Sequence, residues 1–484
     1  MLLDAQVWGG RLYTGEWTGT GRTAQATEPA TGTVLGEVAT ADADMLHRCA
    51  ATAADAGRSW AASTHEERGA VLRRAAALFE EHREEIGRWL MREAGKTSAP
   101  AEMELAQCAG ELREAAALTS TSWGALLPTT VAGRTSLARR VPMGVVAVIA
   151  PWNFPLVLAL RSVAPALATG NAVLLKPASE TAVCCGVVIA RLFEEAGLPA
   201  GVLQMLPGRG SELGDAVAED PHIDMISFTG STPVGKKLAE SAGRNLKKIV
   251  CELGGNNPFV VLDDADVEAA AAAGAFGSFL HQGQICMAVG RHLVAEPLAD
   301  AYAEALAGRV RELRVGDPVQ GADLGPVINE GQADHAERLV RETVRAGARQ
   351  LTEPERDGLF LRPTVLSGVT EDMPAYREEI FGPVATVTSF ADEEEAVRLA
   401  NDTPYGLVAA VHSGSAARAE ALGDRLRAGM IHLNDQTVND ETLVPFGGRD
   451  DSGGGGHFGA FTNLDEFTTW QWVTVHRSQT RPRL

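Results

Sequence analysis

The chain has 484 residues, 45% hydrophobic and 22% charged, and carries a formal net charge of −20 at pH 7. This length and composition are typical of a globular protein with two or three domains. The negative charge argues against a nucleic-acid partner, because a phosphate backbone would be repelled.

The chain start, MLLDAQVWGG, lacks the basic region and apolar core of a signal peptide. No stretch reaches the ~18–20 consecutive apolar residues that a membrane helix requires. The six cysteines form no CxxC pair, so we predict neither a zinc site nor a dithiol redox site. So few cysteines in a large chain are typical of a reducing compartment, and we expect a cytoplasmic protein that does not bind membranes.

In chain order, the first forty residues predict short strands and turns. From about Asp42, apolar residues recur at helical spacing. From Val141 the pattern changes to short apolar runs separated by helical stretches. These runs are Val145–Ala150, Ala172–Leu175, Val202–Leu206, Met225–Phe228 and Ile249–Cys251. Short buried strands that alternate with helices predict a parallel, doubly wound sheet.

A second alternating set begins at Pro258–Leu262 and runs to about Asn434, with helices near Asp266–Leu280 and Asp300–Leu313. The glycine-rich stretch 447–459 predicts a loop. The segment Thr468–Val475 alternates like a strand. The fold class is therefore α/β, with two α/β domains.

Cys286 lies in HQGQICMAVGR, where Gly283 and small neighbours suit a tight loop leading into a helix. A thiol at a helix N-terminus would have a lowered pKa and would react as the thiolate. The other five cysteines are expected to be small buried side chains.

Six segments together resemble the aldehyde dehydrogenase family, in the family's order and over nearly the whole chain. They are PWNFPL at 151–156, KPASE at 176–180, FTGSTPVG at 228–235, ELGGNNP at 252–258, GQIC at 283–286 and EEIFGPV at 378–384. The resemblance implies oxidation of an aldehyde through a thiohemiacetal and a thioester on Cys286. It assigns Glu252 as the base that activates water, and Asn153 as a donor to the oxyanion.

The usual GxGxxG fingerprint is absent, but FTGSTPVG follows a strand and opens a helix. Ser231 is expected to cap that helix, and its free N–H groups would attract a pyrophosphate. The resemblance implies NAD or NADP as cofactor. Ser179 stands where NAD-preferring members often carry a glutamate, so we predict that NADP is tolerated. The implied cofactor-binding residues are Ala150, Pro151, Trp152, Lys176, Ser179, Gly208, Phe228, Gly230, Ser231, Gly235, Leu253, Glu379 and Phe381.

Family members combine a Rossmann-type cofactor domain, a catalytic domain and a small β oligomerisation arm. The corresponding ranges here are 1–118 with 141–252, 253–445, and 119–140 with 460–484. RTSLAR at 134–139 and TTWQWVTV at 468–475 could pair as strands across subunits, which predicts a homodimer or homotetramer.

Among branches of the family, HLNDQTVNDE at 432–441 and WQWVTV at 470–475 look most like benzaldehyde and vanillin dehydrogenases. Arg161 replaces a bulky aromatic residue of many aliphatic-aldehyde enzymes, and Ile285 and Met287 would give an apolar wall. We hypothesise a benzaldehyde-like substrate.

Alternative functions are an aliphatic or semialdehyde dehydrogenase, a CoA-acylating dehydrogenase, and a non-catalytic binding protein. Glu252 argues against the CoA-acylating type, and Cys286 with Glu252 argues against a non-catalytic protein. The loop Arg449–Asp451 departs from the small residues usual in the family, which leaves its packing open.

Overall fold

The computed structural model describes residues 1–459 and 461–477. Its N-terminal part consists of short strands and four long helices. Thr64 and Glu67 form a reciprocal capping box that starts the second long helix. The elements are α1 (Ala5–Trp8), β1 (Leu12–Tyr13), β2 (Trp17–Thr18), β3 (Thr23–Thr27), β4 (Val34–Ala39), α2 (Ala43–Ala62), α3 (His65–Glu81), α4 (Arg83–Glu93), α5 (Ser98–Leu118), β5 (Gly124–Leu127) and β6 (Arg134–Pro142).

The first large sheet contains the five apolar runs predicted from the sequence. Its strands and the helices that connect them are β7 (Val145–Ile149), α6 (Pro155–Ala168), β8 (Ala172–Lys176), α7 (Val188–Glu195), β9 (Leu203–Met205), α8 (Gly210–Glu219), β10 (Met225–Thr229), α9 (Thr232–Arg244) and β11 (Lys248–Glu252). Its order is β11-β10-β7-β8-β9, all parallel, with β1 and β2 added antiparallel at one edge. Helices cover both faces, which is why these strands are almost continuously apolar.

The second large sheet follows directly in the chain. Its region comprises β12 (Asn257–Val261), α10 (Val267–Phe279), β13 (Val289–Ala295), α11 (Ala299–Arg311), α12 (Glu330–Arg345), β14 (Arg349–Gln350), β15 (Arg356–Asp357), β16 (Phe360–Leu361), β17 (Thr364–Ser367), α13 (Pro374–Arg377), β18 (Val384–Phe390), α14 (Glu393–Asn401), β19 (Tyr405–Gly406), β20 (Val408–His412), α15 (Ala416–Gly423), β21 (Met430–Leu433) and β22 (Arg449–Asp450). The strand order is β14-β17-β18-β13-β12-β20-β21, and only β14 is antiparallel to its neighbour. The α/β fold class with two sheets is confirmed.

A third sheet has three strands. After α16 (Thr462–Glu466), strand β23 (Thr468–His476) pairs antiparallel with β6, from Thr468 opposite Pro142 to His476 opposite Arg134. The predicted pairing of these segments between subunits is therefore wrong, because they pair within one chain. Of the predicted arm range 460–484, Ala460 and residues 478–484 lie outside the described residues.

Candidate active site

Glu252 is the last residue of β11, at the carboxyl edge of the first sheet, and only 3% of its surface is exposed. Neither carboxyl oxygen has a hydrogen-bond partner within the described chain. Burial raises the pKa of this carboxyl well above its ordinary value; Arg161 opposes the rise, and Glu466 and Asp440 add to it. The group is therefore protonated more readily than an exposed glutamate, as a proton acceptor near neutral pH requires.

Cys286 does not stand at a helix N-terminus, and that prediction is wrong. The thiol lies in a turn between the 3₁₀ segment Leu280–Gly283 and β13. His281 and Gln282 have φ of 49° and 58°, so the chain reverses in left-handed geometry before it reaches the cysteine. Gln282 fixes this reversal by donating to the carbonyls of Gly95, at 3.0 Å, and Pro326, at 2.8 Å.

The surroundings of the Cys286 thiol raise its pKa, whereas the sequence predicted a lowered pKa. Burial, then the charges of Glu379 and Glu252, raise the pKa to about 12. Because no helix dipole opposes these effects, the resting thiol is protonated. Reaction through sulfur therefore requires a nearby base.

Asn153 lies between β7 and α6 and is 4% exposed. Its side-chain amide donates to the carbonyl of Gln284 at 3.0 Å, two residues before Cys286. On the other side, Asn257 donates to the carbonyl of Cys286 at 2.8 Å and to that of Ala288 at 2.7 Å. Two asparagines therefore hold the cysteine turn from both flanks.

A groove of about 290 Å³ runs along the carboxyl ends of β10 and β11 to Cys286. Trp152 and Phe381 meet edge to face in it, with ring centroids 5.4 Å apart. Glu379 accepts a hydrogen bond from the Gly255 N–H at 2.9 Å, and burial raises its pKa to about 7. Seven predicted cofactor residues line this groove: Pro151, Trp152, Gly230, Ser231, Leu253, Glu379 and Phe381.

The other six predicted cofactor residues lie beside the groove rather than in its lining. Ala150, Lys176 and Phe228 are at or just beyond the carboxyl ends of β7, β8 and β10; Gly208 follows β9; Gly235 is in the first turn of α9; and Ser179 is exposed beyond β8. All six thus belong to the strand-end edge where parallel sheets bind ligands.

Ser231 occupies the N-cap position of α9, but its hydroxyl makes no capping bond to the described backbone. The expected side-chain cap is therefore wrong. Thr232 instead donates its hydroxyl to the carbonyl of Asp451 at 2.9 Å, which ties the helix start to the glycine-rich loop. The first N–H groups of the helix are left for another acceptor.

A second cavity reaches Cys286 and is lined by different elements, chiefly α5, α6 and the segment 438–446. Asn153, Leu158 and Cys286 belong to both cavities. The predicted wall residues Ile285 and Met287 are buried in it, and sequence reasoning missed its aromatic rings, Phe154 and Phe446. Phe154 stands within PWNFPL at 151–156, but the sequence alone does not show that its ring lines this cavity together with Phe446.

Arg161 contributes a buried charge to this second cavity. It pairs with Asp440 and, at 3.3 Å, with Glu111, and its guanidinium lies 4.5 Å from the centroid of the Phe446 ring. Burial raises the pKa of Glu111 to about 7, although Arg161 opposes the rise. Arg161 was noted in the sequence, but its partners come from two distant segments and no local pattern connects them.

Asp450 and Asp451, two of the loop residues that depart from the family pattern, hold the glycine-rich loop in place. Asp450 pairs with Arg427 at 2.9 Å, and Asp451 with Lys236 on α9 at 2.7 Å. Ser452 accepts from the Leu253 N–H through its carbonyl at 2.9 Å and donates its hydroxyl to the carbonyl of Gly254 at 2.6 Å. The loop thus clamps the ELGG turn that carries Glu252.

Behind Asn153, a fully buried ion pair supports the start of α6. Lys96 Nζ lies 3.3 Å from Glu104 and 3.2 Å from the centroid of the Phe154 ring. Glu104 accepts from the N–H groups of Leu156, at 2.8 Å, and Val157, at 3.1 Å. One carboxylate therefore caps the helix that follows Asn153.

Comparison with known proteins identifies the chain's relatives. The sequence profile of the Aldehyde dehydrogenase family matches residues 17–473. The chain is 51% identical over 477 residues to a vanillin dehydrogenase of Amycolatopsis, which covers 98% of each chain. It is 45% identical over 474 residues to a benzaldehyde dehydrogenase [NAD(+)] of Pseudomonas putida, covering 98% of this chain and 97% of the relative.

Solved structures agree. A betaine aldehyde dehydrogenase from Staphylococcus aureus in complex with NAD+ superposes with a TM-score of 0.94 at 32% identity, over 99% of this chain and 97% of that one. An aldehyde dehydrogenase from Brucella melitensis biovar abortus gives a TM-score of 0.94 at 33% identity, over 99% of both chains. The chain therefore belongs to the aldehyde dehydrogenase family.

Proposed function

We propose that this enzyme oxidises an aromatic aldehyde to the carboxylic acid with NAD as hydride acceptor. The observation that carries the proposal is the position of Cys286, where an apolar cavity with two aromatic rings meets the groove lined by Trp152 and Glu379. Ile285, Met287 and the rings of Phe154 and Phe446 give the second cavity an apolar lining that suits a flat aromatic ring. The printed names of relatives at 45–51% identity, vanillin and benzaldehyde dehydrogenase, support the same substrate class.

The groove residues fit a nicotinamide dinucleotide. Gly254 and Glu379 lie so close together in the groove that a Cβ on Gly254 would be 2.2 Å from the carboxylate of Glu379. The start of α9 offers N–H groups to a pyrophosphate, and Glu379 offers a carboxylate to ribose hydroxyls. Bound there, the cofactor supplies the hydride acceptor for the reaction.

The chemistry follows from Cys286 and the two residues that line the groove with it, Glu252 and Asn153. Glu252 takes the proton of the Cys286 thiol, and the thiolate adds to the aldehyde carbon to give a thiohemiacetal. The side-chain amide of Asn153 and the N–H of Cys286 hold the oxyanion. Loss of hydride from that carbon leaves a thioester. Glu252 then gives the thiol proton up to solvent and takes a proton from water as the water attacks the thioester. The Cys286 thiolate leaves and takes that proton back from Glu252, which frees the acid and restores the thiol.

Two alternative functions, a CoA-acylating dehydrogenase and a non-catalytic protein, are less well supported. A CoA-acylating enzyme would not need a buried base at position 252, and a non-catalytic relative would not need both Cys286 and Glu252. Acyl-CoA formation in the presence of CoA would favour the first, and an absence of NADH with every aldehyde would favour the second.

The three-stranded sheet of β5, β6 and β23 supports a dimeric or tetrameric assembly of this enzyme, which we propose to be cytoplasmic. The sheet exposes large apolar side chains on both faces: Leu126, 74% exposed, lies on one, and Trp470 and Trp472, 57% and 67% exposed, form an apolar patch on the other. Such a patch is typical of a protein interface. Light scattering should give a multiple of the 51.0 kDa chain mass; a monomer mass would contradict the proposal.

The substrate proposal is tested with purified protein, NAD and a panel of aldehydes. We expect kcat/KM for benzaldehyde to exceed that for acetaldehyde and succinic semialdehyde. Equal or lower values for benzaldehyde would overturn the aromatic assignment and leave an aliphatic or semialdehyde dehydrogenase.

A further inference from the structure

A separate groove of about 380 Å³, the outer groove, lies between α12 and the segments that flank the β15–β16 hairpin. It shares no lining residue with the two cavities that meet at Cys286, so the proposed oxidation does not use it. Its walls are largely apolar and include Val340, Val344, Leu361 and Val384. The volume is within the range of small-molecule sites, about 300–1,000 Å³.

One wall of the outer groove consists of two neighbouring rows of side chains on α12. Ala336, Val340 and Val344 follow one another at intervals of four residues and make an apolar row. Arg341 and Arg345, also four residues apart, make a basic row beside it. Their guanidinium groups form no ion pair and no hydrogen bond within residues 1–459 and 461–477.

The two acidic side chains of the lining do not balance this basic row, because each is already paired elsewhere. Glu337 pairs with Arg356 at 2.7 Å. Glu355 pairs with Arg362 at 2.8 Å. The outer groove therefore carries an uncompensated positive charge in a chain whose net charge is −20, and that charge attracts an anion.

A second, independent feature of the outer groove is an unused hydrogen-bond donor. Gln350, on β14, lines the groove, and its side-chain Nε2 is buried without an acceptor among the residues that the structure describes. Buried amide N–H groups nearly always have a partner, so this one calls for an oxygen in the groove.

We propose that the outer groove binds a monocarboxylate with an apolar body. The carboxylate pairs with Arg341 and Arg345 and accepts from Gln350 Nε2, while the body covers Val340 and Val344. Inorganic phosphate would leave the apolar row exposed, and a neutral molecule would leave both arginines unpaired. The acid made by the proposed reaction is one member of this class, but the site does not depend on which aldehyde is oxidised.

The site is tested directly in crystals of the protein with NAD, soaked with 4-bromobenzoate. Anomalous scattering locates the bromine, and we expect a peak in the outer groove with the carboxylate directed toward Arg341 and Arg345. Bromine only in the cavity at Cys286 would overturn the proposal. A groove filled by side chains of a second copy, with no bromine there, would also overturn it.

Variants and calorimetry then test the same binding in solution. Replacing both arginines, Arg341→Gln with Arg345→Gln, should weaken 4-bromobenzoate binding by about tenfold, because two exposed ion pairs are lost. Val344→Asp, at a position 36% exposed, should abolish it by repulsion. Arg349→Gln is the matched control, since Arg349 is exposed and paired with Asp300 outside the groove. A component that reflects the cavity at Cys286 should stay constant throughout, and unchanged total binding in both groove variants would overturn the proposal.

Two further probes separate the charge from the apolar body. Neutral 4-bromobenzamide and inorganic phosphate should each bind to the outer groove at least about tenfold more weakly than 4-bromobenzoate. Equal binding of the amide would remove the arginines from recognition, and equal binding of phosphate would reduce the groove to a simple anion site; either result overturns the proposal. NADH production by every variant should match the parent, which checks folding. Because binding is measured without turnover, failure to oxidise aromatic aldehydes would overturn the proposed function and leave the binding result as it stands.

Discussion

The side-chain amide of Asn153 donates to the carbonyl of Gln284 at 3.0 Å, which fixes which end of the amide faces the Cys286 turn. One amide hydrogen is used in that bond, and the second remains for the oxyanion.

Asn153→Ala should therefore lower kcat by about 10²–10³-fold, the usual effect of losing one oxyanion donor. Asn245→Ala is the matched control, because Asn245 makes the same type of bond, at 3.0 Å to the carbonyl of Ser241, at the far end of α9. Steady-state NADH production measures both. Equal activity of the two variants would remove Asn153 from the mechanism.

Replacement of the nucleophile gives a second test. Cys286→Ala should abolish NADH formation from aldehyde, whereas Cys108→Ala, buried on α5, should retain it. Mass spectrometry after trapping with substrate should place the acyl group on Cys286. An acyl adduct on another cysteine would refute the assignment.

Protonation of Glu252 should govern the pH dependence of both activity and stability. Because its pKa is raised, the Glu252 carboxylate becomes protonated at a higher pH than an ordinary glutamate and can then no longer act as a base. We therefore expect kcat/KM to decline as the pH falls through this pKa. The folded protein also binds this proton more tightly than the unfolded chain, so Glu252 makes folding less favourable as pH rises above about 4.5.

Glu252→Gln removes that titration. The variant should lose hydrolytic turnover, and its melting temperature relative to the parent should rise between pH 5 and pH 8. Glu240→Gln, exposed on α9, serves as control and should follow the parent in both measurements. A melting difference that does not vary with pH would contradict the raised pKa.

Replacing one partner of the buried Lys96–Glu104 pair should lower the free energy of unfolding more than replacing both. Glu104→Ala leaves a buried ammonium and two helix N–H groups without their acceptor, so we expect a loss of about 3–5 kcal/mol in the free energy of unfolding. Lys96→Met combined with Glu104→Leu should recover part of that loss. Urea unfolding measures both, and a double variant no more stable than the single one would show that the charge is not the cause.

Cofactor choice tests Ser179, which is exposed just beyond β8. The parent should use NADP as well as NAD, because no carboxylate stands at that position to repel a 2′-phosphate. Ser179→Glu should raise the NAD-to-NADP ratio of kcat/KM by about tenfold, as expected for a like charge beside a phosphate. A parent that already discriminates strongly against NADP would contradict this prediction.

Strand positions and motif order were predictable from the sequence because apolar runs and glycine turns are local signals. The surroundings of Cys286 were not. The left-handed turn at His281 and Gln282 depends on bonds from Gln282 to Gly95 and Pro326, which are distant in the chain. A loop that such contacts reverse looks, in sequence, like one that enters a helix. The Arg161 cluster escaped prediction for the same reason, since Glu111 and Asp440 are brought to it only by the fold.

The two cavities that share Cys286 are walled by different parts of the chain. Aldehyde and cofactor therefore need not compete for the same space, because each cavity reaches the sulfur from its own side. A change in the lining of one cavity can then alter the choice of aldehyde while the walls of the other stay as they are.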